Sequence, residues 1–380
     1  MGKNKIFHLV TVSKSIPLMK GQVEFLRNQG LDVHIVSNDG KELRSYEKGI
    51  FHSIPMKREI SLLSDIKSLL KMAKLFYKEK PYIVNSGTPK AGLIGTLAAF
   101  ITRRPIRIYT VRGLRLETVT GFKYKLLYFM EKLAMFCATD IIAISQSLKE
   151  KIVFSNLANE DKIKVLGYGS SNGIQLEKFI MTDNKINEVY KKRLAGNFVI
   201  GYIGRIVKDK GIQELVEAFK LILDKSYNVK LMVIGSVEKG NAISDKDYLF
   251  LKNNPNVLLI DHVSNPVSYY NNMDLFVFPT HREGFGNVSI EAQALGVPVI
   301  TTNVTGAIDT VVDEETGFIV EKGNVEAIVN KIEKLINDEK LRRKLGGNGR
   351  IHAKNNFSNE IIWKDMEKMY KKFLDRRAGF

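Results

Sequence analysis

Two glutamates stand eight residues apart in the stretch HREGFGNVSIEAQALGVPVIT, residues 281–301. Glu283 follows an apolar run that indicates a buried strand, and Glu291 lies in the predicted helix that comes next. Gly284 and Gly286 let the backbone approach a ligand closely. The amides directed at such a ligand belong to Phe285, Gly286, Asn287 and Val288. Carboxylates at this place accept hydrogen bonds from hydroxyl groups, as an acidic residue does from ribose in dinucleotide folds.

A second cluster of candidate residues is cationic. The stretch YIGRIVKDKGIQEL places Arg205 and Lys210 after one predicted strand and before one predicted helix. The free N–H groups of a helix N-terminus favour anions. Two cations and a helix N-terminus together make a site for a diphosphate. The chain lacks the sequence G-x-x-x-x-G-K-[ST], which disfavours a P-loop kinase or ATPase.

The two clusters together describe a nucleotide sugar. Its diphosphate would lie at Arg205 and Lys210, and its sugar and ribose hydroxyls at Glu283 and Glu291. The alternative, that all four are ordinary surface charges, loses weight when both clusters occur in one domain. The sequence DKD at residues 245–247 lacks the preceding apolar strand of a metal-binding DxD, so it indicates a turn or the start of a helix. No metal site is expected.

The elements that must position these residues alternate along the chain. Apolar runs that end in small or polar residues predict strands, and apolar residues at three- and four-residue spacing predict the helices between them. The predicted strands are KIFHLVTVS, DVHIVS, GIFHSIP, YIVNSG, IRIYTV, DIIAIS, IKVLGYG, FVIGYIG, VKLMVIG, VLLID, LFVFPT, PVITT and GFIVEKG. Such alternation is typical of parallel sheets wound with helices. Ligands of these sheets bind beyond the carboxyl ends of the strands.

The expected fold class is therefore α/β, with two Rossmann-like domains that face a cleft. A chain of 380 residues, 44% of them apolar, is long enough to bury two cores. A polar, lysine-rich stretch at about 180–196 predicts the joint. This gives an N-terminal domain of residues 1–180, for the acceptor, and a C-terminal domain of residues 181–362, for the nucleotide sugar. The last helix, residues 363–380, is expected to pack back on the N-terminal domain.

Composition excludes several classes of protein. The longest apolar run, residues 91–101, is shorter than the roughly 18 residues that a membrane-spanning helix needs. The apolar segment near the N-terminus has no small-residue cleavage site behind it, which predicts a buried strand and no signal peptide. The one cysteine, Cys137, excludes disulfides and cysteine metal sites. We expect the reducing cytoplasm as the location.

The positive charge is concentrated in the first half of the chain. The net charge is +17, and residues 1–180 carry 29 Lys and Arg against 15 Asp and Glu, an excess of +14. A polybasic surface gains about 1 kcal/mol per Lys or Arg near an anionic leaflet. The N-terminal domain is therefore expected to bind the anionic inner face of the cell membrane. Nucleic acid is not an expected partner, because no basic stripe with stacking aromatics and no recognisable module is evident.

Two predicted helices contribute to this charge. Over residues 61–80, one set of apolar residues is expected to face inward and a row of lysines to lie on another face. The inward set is Leu62, Leu63, Ile66, Leu69, Leu70, Ala73 and Phe76, and the lysines are Lys67, Lys71, Lys74 and Lys78. Residues 121–136, GFKYKLLYFMEKLAMF, mix lysines with aromatic residues that look exposed. Solvated helix faces explain either segment alone equally well.

The motifs resemble those of a known family. GRIVKDKG, the E-x7-E pair in EGFGNVSIE, the following EAQALGVPVI, and TGFIV are similar to motifs of the retaining nucleotide-sugar glycosyltransferases of family 4, which have the GT-B fold. The resemblance covers essentially the whole chain. It implies that Arg205 and Lys210 bind the donor diphosphate and neutralise the leaving group. It also implies that Glu291 accepts from the ribose hydroxyls, that Glu283 holds the donor sugar, and that Val263 packs against the base.

The resemblance carries an expectation about the chemistry as well. Glycosyl transfer passes through an oxocarbenium-like state, while negative charge grows on the departing nucleotide diphosphate. Fixed cations and amides stabilise that charge, so neither a metal nor a cofactor is expected. UDP is the nucleotide that the family leads us to expect.

Three further stretches bear on the acceptor. SGTPKAGLIGTLAA, YTVRGLRLETVTGFKYKLLYFMEK and GSSNGIQLEKF resemble the bacterial enzymes that build capsular and other surface polysaccharides on lipid carriers. This implies an acceptor sugar on polyprenyl diphosphate, with Lys90, Arg112 and Arg115 as candidates for binding that diphosphate. Glu117 is a candidate base, and an ordinary loop carboxylate is an equal alternative. A front-face mechanism, in which the leaving phosphate takes the proton, needs no protein base.

The sequence departs from the family pattern in two places. In the first loop, SKSIPLMKGQ replaces the family's paired glycines and only Gly21 remains. The other departure is at a histidine position. Many members carry a histidine in a T-x-H-G context, and YTVRGL places Arg112 there. Since that histidine often contacts the 6-hydroxyl of the donor sugar, its replacement suggests a 6-deoxy donor, such as a 6-deoxy N-acetyl amino sugar. The alternative function is a UDP-sugar 2-epimerase, which shares the fold and the nucleotide site. It would need further carboxylates or a histidine in the cleft, and no basic membrane face.

Overall fold

The computed structural model describes residues 4–47, 49–180, 186–238 and 242–378. The chain divides into two compact units, Met1–Gly173 with Asn359–Phe380, and Ile174–Ser358. We call them the N-terminal and the C-terminal domain. Each is built on an open parallel sheet with helices, and all thirteen predicted strands are present. The α/β class and the two Rossmann-like domains are thereby confirmed.

The N-terminal domain has a seven-stranded sheet. Its strands are β1 (Ile6–Leu9), β2 (Val33–Ser37), β3 (Phe51–Ser53), β4 (Ile83–Gly87), β5 (Ile106–Val111), β6 (Asp140–Ala143) and β7 (Ile163–Lys164). They lie parallel in the order β3-β2-β1-β4-β5-β6-β7. The helices are α1 (Gln22–Asn28), α2 (Lys41–Arg44), α3 (Leu62–Glu79), α4 (Pro89–Ile101), α5 (Gly121–Cys137) and α6 (Gln146–Phe154). The order reverses between β1 and β4, which makes that point the topological switch of the domain.

The two faces of this sheet bury separate cores. Successive side chains of a strand point to opposite faces, so Ile6 belongs to one core and Phe7 to the other. The face of Phe7 is covered by α3 and α4, and α5 packs beside α4. Near-continuous apolar strands are the pattern expected of a parallel sheet covered on both faces.

The C-terminal domain has a six-stranded sheet. Its strands are β8 (Phe198–Ile203), β9 (Val229–Ile234), β10 (Val257–Ile260), β11 (Leu275–Phe278), β12 (Val299–Thr302) and β13 (Gly317–Val320). They lie parallel in the order β10-β9-β8-β11-β12-β13, so the switch falls between β8 and β11. The helices are α7 (Glu177–Ile180), α8 (Glu188–Leu194), α9 (Ile212–Asp224), α10 (Asp245–Asn253), α11 (Val267–Tyr270), α12 (Asn287–Ala294), α13 (Val325–Asn337) and α14 (Glu339–Asn356).

The last helix, α15 (Asn359–Ala378), packs on the N-terminal domain. Ile362 and Tyr370 are fully buried there, and the Trp363 ring lies 5.4 Å from the Phe25 ring. Trp363 Nε1 also donates to Asn172 Oδ1 at 2.7 Å. The helix thus returns the chain to the domain in which it began.

The domain bounds differ by a few residues from the expected ones. The division falls after residue 173 and after residue 358, against 180 and 362. The reason is a β-bridge between Ile174 and Ser358, reinforced by a 2.8 Å hydrogen bond from Ile174 N to Phe357 O. The chain passes between the domains at residues 173–174 and 358–359, and this bridge makes Ile174 and Ser358 part of the C-terminal domain. Residues 181–185 of the expected joint lie outside the described residues.

The orientation expected for α3 is wrong for four of its seven predicted core residues, and Leu69, Ala73 and Phe76 do pack against the core. Several of its predicted core residues are exposed, while Met72 and Phe76 face the core. The exposed ones are Leu62, Leu63, Ile66 and Leu70. Apolar residues occupy two adjacent stripes of this helix, and spacing alone did not indicate which stripe meets the sheet. None of the helices in the described part of the chain combines the length and hydropathy of a bilayer-spanning segment.

Candidate functional site

A lysine and a glutamate meet at the switch point of the C-terminal domain. Lys210 ends the 3₁₀ turn that follows β8, and Glu283 lies in the loop that follows β11. The Lys210 ammonium contacts Glu283 Oε1 and donates to Arg282 O at 3.3 Å. It also lies 5.7 Å from the centroid of the Phe278 ring, a cation–π distance. The two charged side chains are 12% and 19% exposed, so solvent screens their attraction only in part.

Backbone contacts tie these two loops together. Asp209 O accepts hydrogen bonds from His281 N at 2.9 Å and from Thr280 Oγ1 at 3.1 Å. Gly211 has φ +68°, and a Cβ there would lie 1.8 Å from Pro279 O. Only glycine fits both the left-handed conformation and this approach. The distance between the loops is therefore fixed by the backbone.

A glycine that sequence reasoning did not single out supports the loop after β11. Gly306 has φ +77°, and a Cβ there would lie 2.5 Å from the carbonyl carbon and oxygen of Gly284. Phe285 is buried, with its ring 5.4 Å from that of Phe357. The Asn287 amide donates to Phe285 O at 3.0 Å, so the loop itself uses this one of the predicted ligand-binding amides. The TGAID stretch gave no signal of this contact beyond the glycine itself.

A buried tyrosine positions Glu291. The Tyr270 hydroxyl lies 3.1 Å from both Glu291 Oε2 and Val288 O, and it donates its one proton to either. Burial, and next the charge of Glu291, raise the pKa of Tyr270 far above its ordinary value. Tyr270 therefore stays a donor at any physiological pH, and it lies within hydrogen-bonding distance of the Glu291 carboxylate. No motif in the sequence marked this residue.

Arg205 is the exposed member of the candidate site. Its Nη1 lies 2.8 Å from Glu238 Oε2, with both side chains about half exposed. Its carbonyl accepts from the Tyr202 hydroxyl at 2.9 Å. Burial, and next the charge of Glu283, raise the pKa of Tyr202. Since an exposed pair is worth at most about 1 kcal/mol, an anionic ligand can take Glu238's place.

Two other predictions concern the rim of this domain. Val263 follows β10 and is half-buried against the domain core. Asp245 begins α10, and the Ser244 hydroxyl caps that helix by accepting from Asp247 N at 3.1 Å. The DKD sequence is thus a helix start, as expected. Within the described residues no group of three or more His, Cys, Asp or Glu side chains could hold a metal ion.

In the N-terminal domain, Arg112 is half-buried beside the end of β4. Its Nε and Nη1 atoms are inaccessible and have no hydrogen-bond partner among the described residues. A Cβ at Gly87 would lie 3.0 Å from Nε. Burial lowers the pKa of Arg112 to about 10, so the guanidinium is still charged at neutral pH. Burial, and next the charge of Arg112, lower the pKa of His8 to about 3. Arg112 is therefore a charged group with unused donors.

Lys90 is in a different situation. It is 7% exposed, and its ammonium donates to Asp65 Oδ1 and Oδ2 at 2.7 and 3.0 Å and also contacts Glu59 O. These three acceptors saturate the donors of an ammonium. The contacts thus give Lys90 a structural role in tying α4 to α3, and we do not carry it forward as a diphosphate ligand.

Arg115 and Glu117 lie in the 3₁₀ turn that precedes α5. Arg115 is exposed, and Glu117 is half-buried at a cavity of about 420 Å³. The cavity is lined by Leu116, Glu117, Val119, Thr120, Gly121, Tyr124, Lys151 and Ser155. Its volume falls in the range of small-molecule sites. Of the four candidate acceptor residues, Arg112, Arg115 and Glu117 thus follow one strand, and Lys90 is engaged elsewhere.

Two family models match the chain, one in each domain. The model described as "Glycosyl transferase 4-like" matches residues 5–147, and the one described as "Glycosyl transferases group 1" matches residues 184–352. Together they cover most of the sequence.

Curated relatives agree with this assignment. The chain is 72% identical over 379 residues to the capsular polysaccharide biosynthesis glycosyltransferase CapM of Staphylococcus aureus, with 100% of each chain covered. It is 27% identical to the Escherichia coli UDP-Gal:alpha-D-GlcNAc-diphosphoundecaprenol alpha-1,3-galactosyltransferase, covering 98% of this chain and 97% of the relative. These relatives are glycosyltransferases, so the 2-epimerase alternative is not supported.

Solved structures agree on the fold. The crystal structure of HepE from Anabaena in complex with UDP superposes with a TM-score of 0.78 at 18% identity, covering 97% of this chain and 100% of that one. The chain is therefore an enzyme with the GT-B fold that belongs to the family 4 glycosyltransferases.

Proposed function

We propose that this glycosyltransferase works with retention of configuration and without a metal, in the synthesis of a capsule or another surface polysaccharide. Its donor is a UDP-sugar, and its acceptor is a sugar carried on undecaprenyl diphosphate. The observation that carries the donor half is the meeting of Lys210 with Glu283 at the switch point between β8 and β11, where open parallel sheets bind their ligands. The 72% identity to CapM supports the role in capsule synthesis.

The donor site divides into four functions. Lys210 and Arg205 bind the diphosphate, since both cations follow β8. Glu291, held by Tyr270, accepts from the ribose hydroxyls. Glu283 accepts from the donor sugar. The remaining donor contacts are the base at Val263 and the backbone at Gly284, Phe285, Gly286, Asn287 and Val288.

The reaction exchanges one C–O bond for another. The bond between the anomeric carbon and the β-phosphate oxygen breaks, and a bond from that carbon to the acceptor oxygen forms on the same face. The acceptor's hydroxyl proton moves to the departing phosphate, so no protein base is needed and Glu117 serves to bind the acceptor. Lys210 and Arg205 stabilise the charge that grows on UDP, and the loss of one such donor typically costs on the order of 10² to 10³ in rate.

The acceptor site lies at the loop after β5. Arg112 supports this assignment because two inaccessible nitrogen atoms of its guanidinium have unused donors, and Arg115 adds a second, exposed cation. The E. coli relative is named for an acceptor on diphosphoundecaprenol, which favours the same acceptor class here. Such an acceptor brings the enzyme to the inner face of the cell membrane, and the +14 excess over residues 1–180 favours peripheral attachment to anionic lipid.

A transfer assay tests the proposal. UDP-N-acetylhexosamines serve as donors and undecaprenyl-diphosphate-linked N-acetylhexosamines as acceptors, with UDP release and the anomeric configuration of the product as readouts. We expect UDP release only with acceptor present, no effect of EDTA, and an axial glycosidic bond retained from the donor. Inversion of configuration would refute the retaining mechanism, and inhibition by EDTA would refute independence of a metal. Equal UDP release without acceptor would refute transfer to the lipid-linked sugar.

The nature of the donor sugar can be tested in the same assay. Arg112 stands where many family members have a histidine, which supports a donor without a 6-hydroxyl. We expect a higher kcat/KM for a UDP-6-deoxy-N-acetylhexosamine than for its 6-hydroxy counterpart. Equal turnover of the two would end this part of the proposal.

A further inference from the structure

Helix α3 presents an apolar stripe to solvent. The side chains and their exposed fractions are Leu62 (74%), Leu63 (77%), Ile66 (47%), Leu70 (65%) and Tyr77 (75%). At about 100° per residue, all five fall within roughly 100° of the helix circumference. Met72 and Phe76, on another sector, supply the contact with the core. A continuous exposed apolar stripe of this kind marks an interaction surface.

A row of lysines borders this stripe. Lys67, Lys71, Lys74 and Lys78 are exposed on the adjoining sector of the helix. The first three make no salt bridge within the described residues, and Lys78 lies 3.9 Å from Glu79. Their charge is therefore available to a partner that is both anionic and able to accept apolar side chains.

Helix α5 repeats the arrangement. Phe122, Phe129 and Phe136 recur every seven residues and are 81%, 64% and 68% exposed. Lys125 and Lys132 are exposed one sector away. Because α4 packs against both α3 and α5, the three helices form one layer. We call the exposed apolar and lysine side chains of α3 and α5 in this layer the helix-layer surface.

The helix-layer surface adjoins the proposed acceptor site. In a right-handed crossover, a helix begins near the carboxyl edge of the sheet, so Leu62 and Phe122 lie at the functional end of their helices. Gly121 and Tyr124, which flank Phe122 and Lys123, line the 420 Å³ cavity. A bilayer at this surface would therefore hold lipid headgroups beside the acceptor loop.

We propose that the helix-layer surface docks on an anionic bilayer leaflet, with its leucines and phenylalanines among the acyl chains and its lysines at the headgroups. The inference deepens the proposed function, since it rests on a lipid-linked acceptor. The positive charge of the surface favours an anionic leaflet over a second copy of the chain as the partner. A symmetric contact between two copies would place lysine rows near one another. A leaflet rich in phosphatidylglycerol would neutralise them. Each buried leucine and each lysine near the leaflet strengthens binding.

Vesicle flotation of the full-length protein tests this proposal. The probes are vesicles of phosphatidylglycerol and phosphatidylcholine in equal parts, and vesicles of phosphatidylcholine alone, at low and high salt. The apolar variant is Leu63→Ser with Leu70→Ser, and the charge variant is Lys67→Glu with Lys71→Glu. The matched controls lie on α14: Ile351→Ser, at a residue that is 61% exposed, and Lys340→Glu with Lys344→Glu.

We expect the wild type to bind the anionic vesicles, more weakly at high salt, and to bind the neutral ones little. Each helix-layer variant should bind at least about tenfold more weakly, and each control within about twofold of the wild type. Equal binding of variants and wild type, or no preference for anionic vesicles, overturns the proposal. So does a wild type that is dimeric by light scattering while the helix-layer variants are monomeric.

The UDP-induced rise in Tm separates this inference from the proposed function. An intact UDP response without vesicle binding overturns the docking surface and leaves the donor site standing. Vesicle binding without a UDP response, and without transfer from any UDP-sugar, leaves the surface and overturns the proposed chemistry.

Discussion

At the scale of single residues, the Lys210–Glu283 pair combines mutual charge neutralisation with the proposed binding of the donor. Each side chain neutralises the other where both are largely buried, so removing one leaves an uncompensated charge. A diphosphate beside Lys210 would add an acceptor for the ammonium, while Glu283 keeps a second oxygen for a sugar hydroxyl. Binding and local geometry are therefore coupled at this pair.

Glu291 provides a test of how the ribose is bound. If its carboxylate accepts from the 2′-hydroxyl, the wild type should bind UDP more tightly than 2′-deoxy-UDP. Glu291→Gln should weaken UDP binding by roughly tenfold, the worth of one charged hydrogen bond, and should abolish most of the preference for UDP. Titration calorimetry measures the affinities of the wild type and of the variant for UDP and for 2′-deoxy-UDP. A variant that keeps the full preference would show that the ribose lies elsewhere.

Gly306 has a matched partner for a second test. Gly306 and Gly323 have φ of +77° and +79°, but a Cβ at Gly323 meets nothing within 4 Å. Alanine at either position should cost about 1 kcal/mol of stability through backbone strain. Only Gly306→Ala should also displace the loop of Glu283 and raise the KM for the donor. Parallel changes in KM for the two variants would contradict this.

Some residues of the candidate site can be predicted from a local sequence motif, and others cannot. Four site residues lie in motifs with recognisable spacing and could therefore be predicted from the sequence: Arg205, Lys210, Glu283 and Glu291. Their partners come from segments without a motif: Glu238, Tyr270 and Gly306 reach the site only through the packing of loops distant in sequence. For the same reason, the sequence did not reveal that the Lys90 ammonium donates to Asp65.

At the scale of elements, buried strands are the most predictable feature. Near-continuous apolar runs such as FVIGYIG are typical of strands buried on both faces of a parallel sheet, and all thirteen predicted strands were found. A helix with two apolar stripes, such as α3, satisfies its pattern in either orientation. Its direction is decided by which stripe fits the strands beneath, and that information is not local.

Helix α5 carries a buried carboxyl that makes stability depend on pH. Glu131 is 7% exposed and lies 2.8 Å from the Tyr109 hydroxyl, and burial raises its pKa to about 7. The folded state therefore holds this proton between about pH 4.5 and 7, where the unfolded state releases it. Stability from this group is complete below pH 4.5 and is lost as the pH rises toward 7.

Glu131→Gln should remove that dependence. Glutamine keeps an acceptor for Tyr109 without the charge, so the variant should match the wild type near pH 4.5 and exceed it at pH 7.5 by up to about 3 kcal/mol. Chemical denaturation across this range measures the difference. A stability difference that does not change with pH would refute the assignment.

At the scale of the whole molecule, α15 makes the N-terminal domain depend on both ends of the chain. Trp363 is 9% exposed in the core of the N-terminal domain, although it follows the last element of the C-terminal domain. The returning helix was predictable because no strand follows it, whereas the crossing point was set by the bridge between Ile174 and Ser358.

Trp363→Ala should destabilise the N-terminal domain by about 3 to 5 kcal/mol and leave the donor site intact. We expect an earlier unfolding transition in denaturant, with UDP affinity unchanged below it. Trp363→Phe, which keeps much of the ring contact with Phe25, is the control and should lose less. A parallel fall in UDP affinity would mean that the two domains do not separate energetically.

The most direct test of the central claim is a thermal-shift measurement with UDP, with and without EDTA. Bound UDP stabilises the folded state in proportion to the logarithm of its concentration over its Kd. The account predicts a rise in Tm for the wild type that EDTA leaves unchanged, the same rise for Lys208→Ala, and none for Lys210→Ala. A rise that EDTA abolishes, or that persists in Lys210→Ala, would contradict a metal-free donor site centred on Lys210.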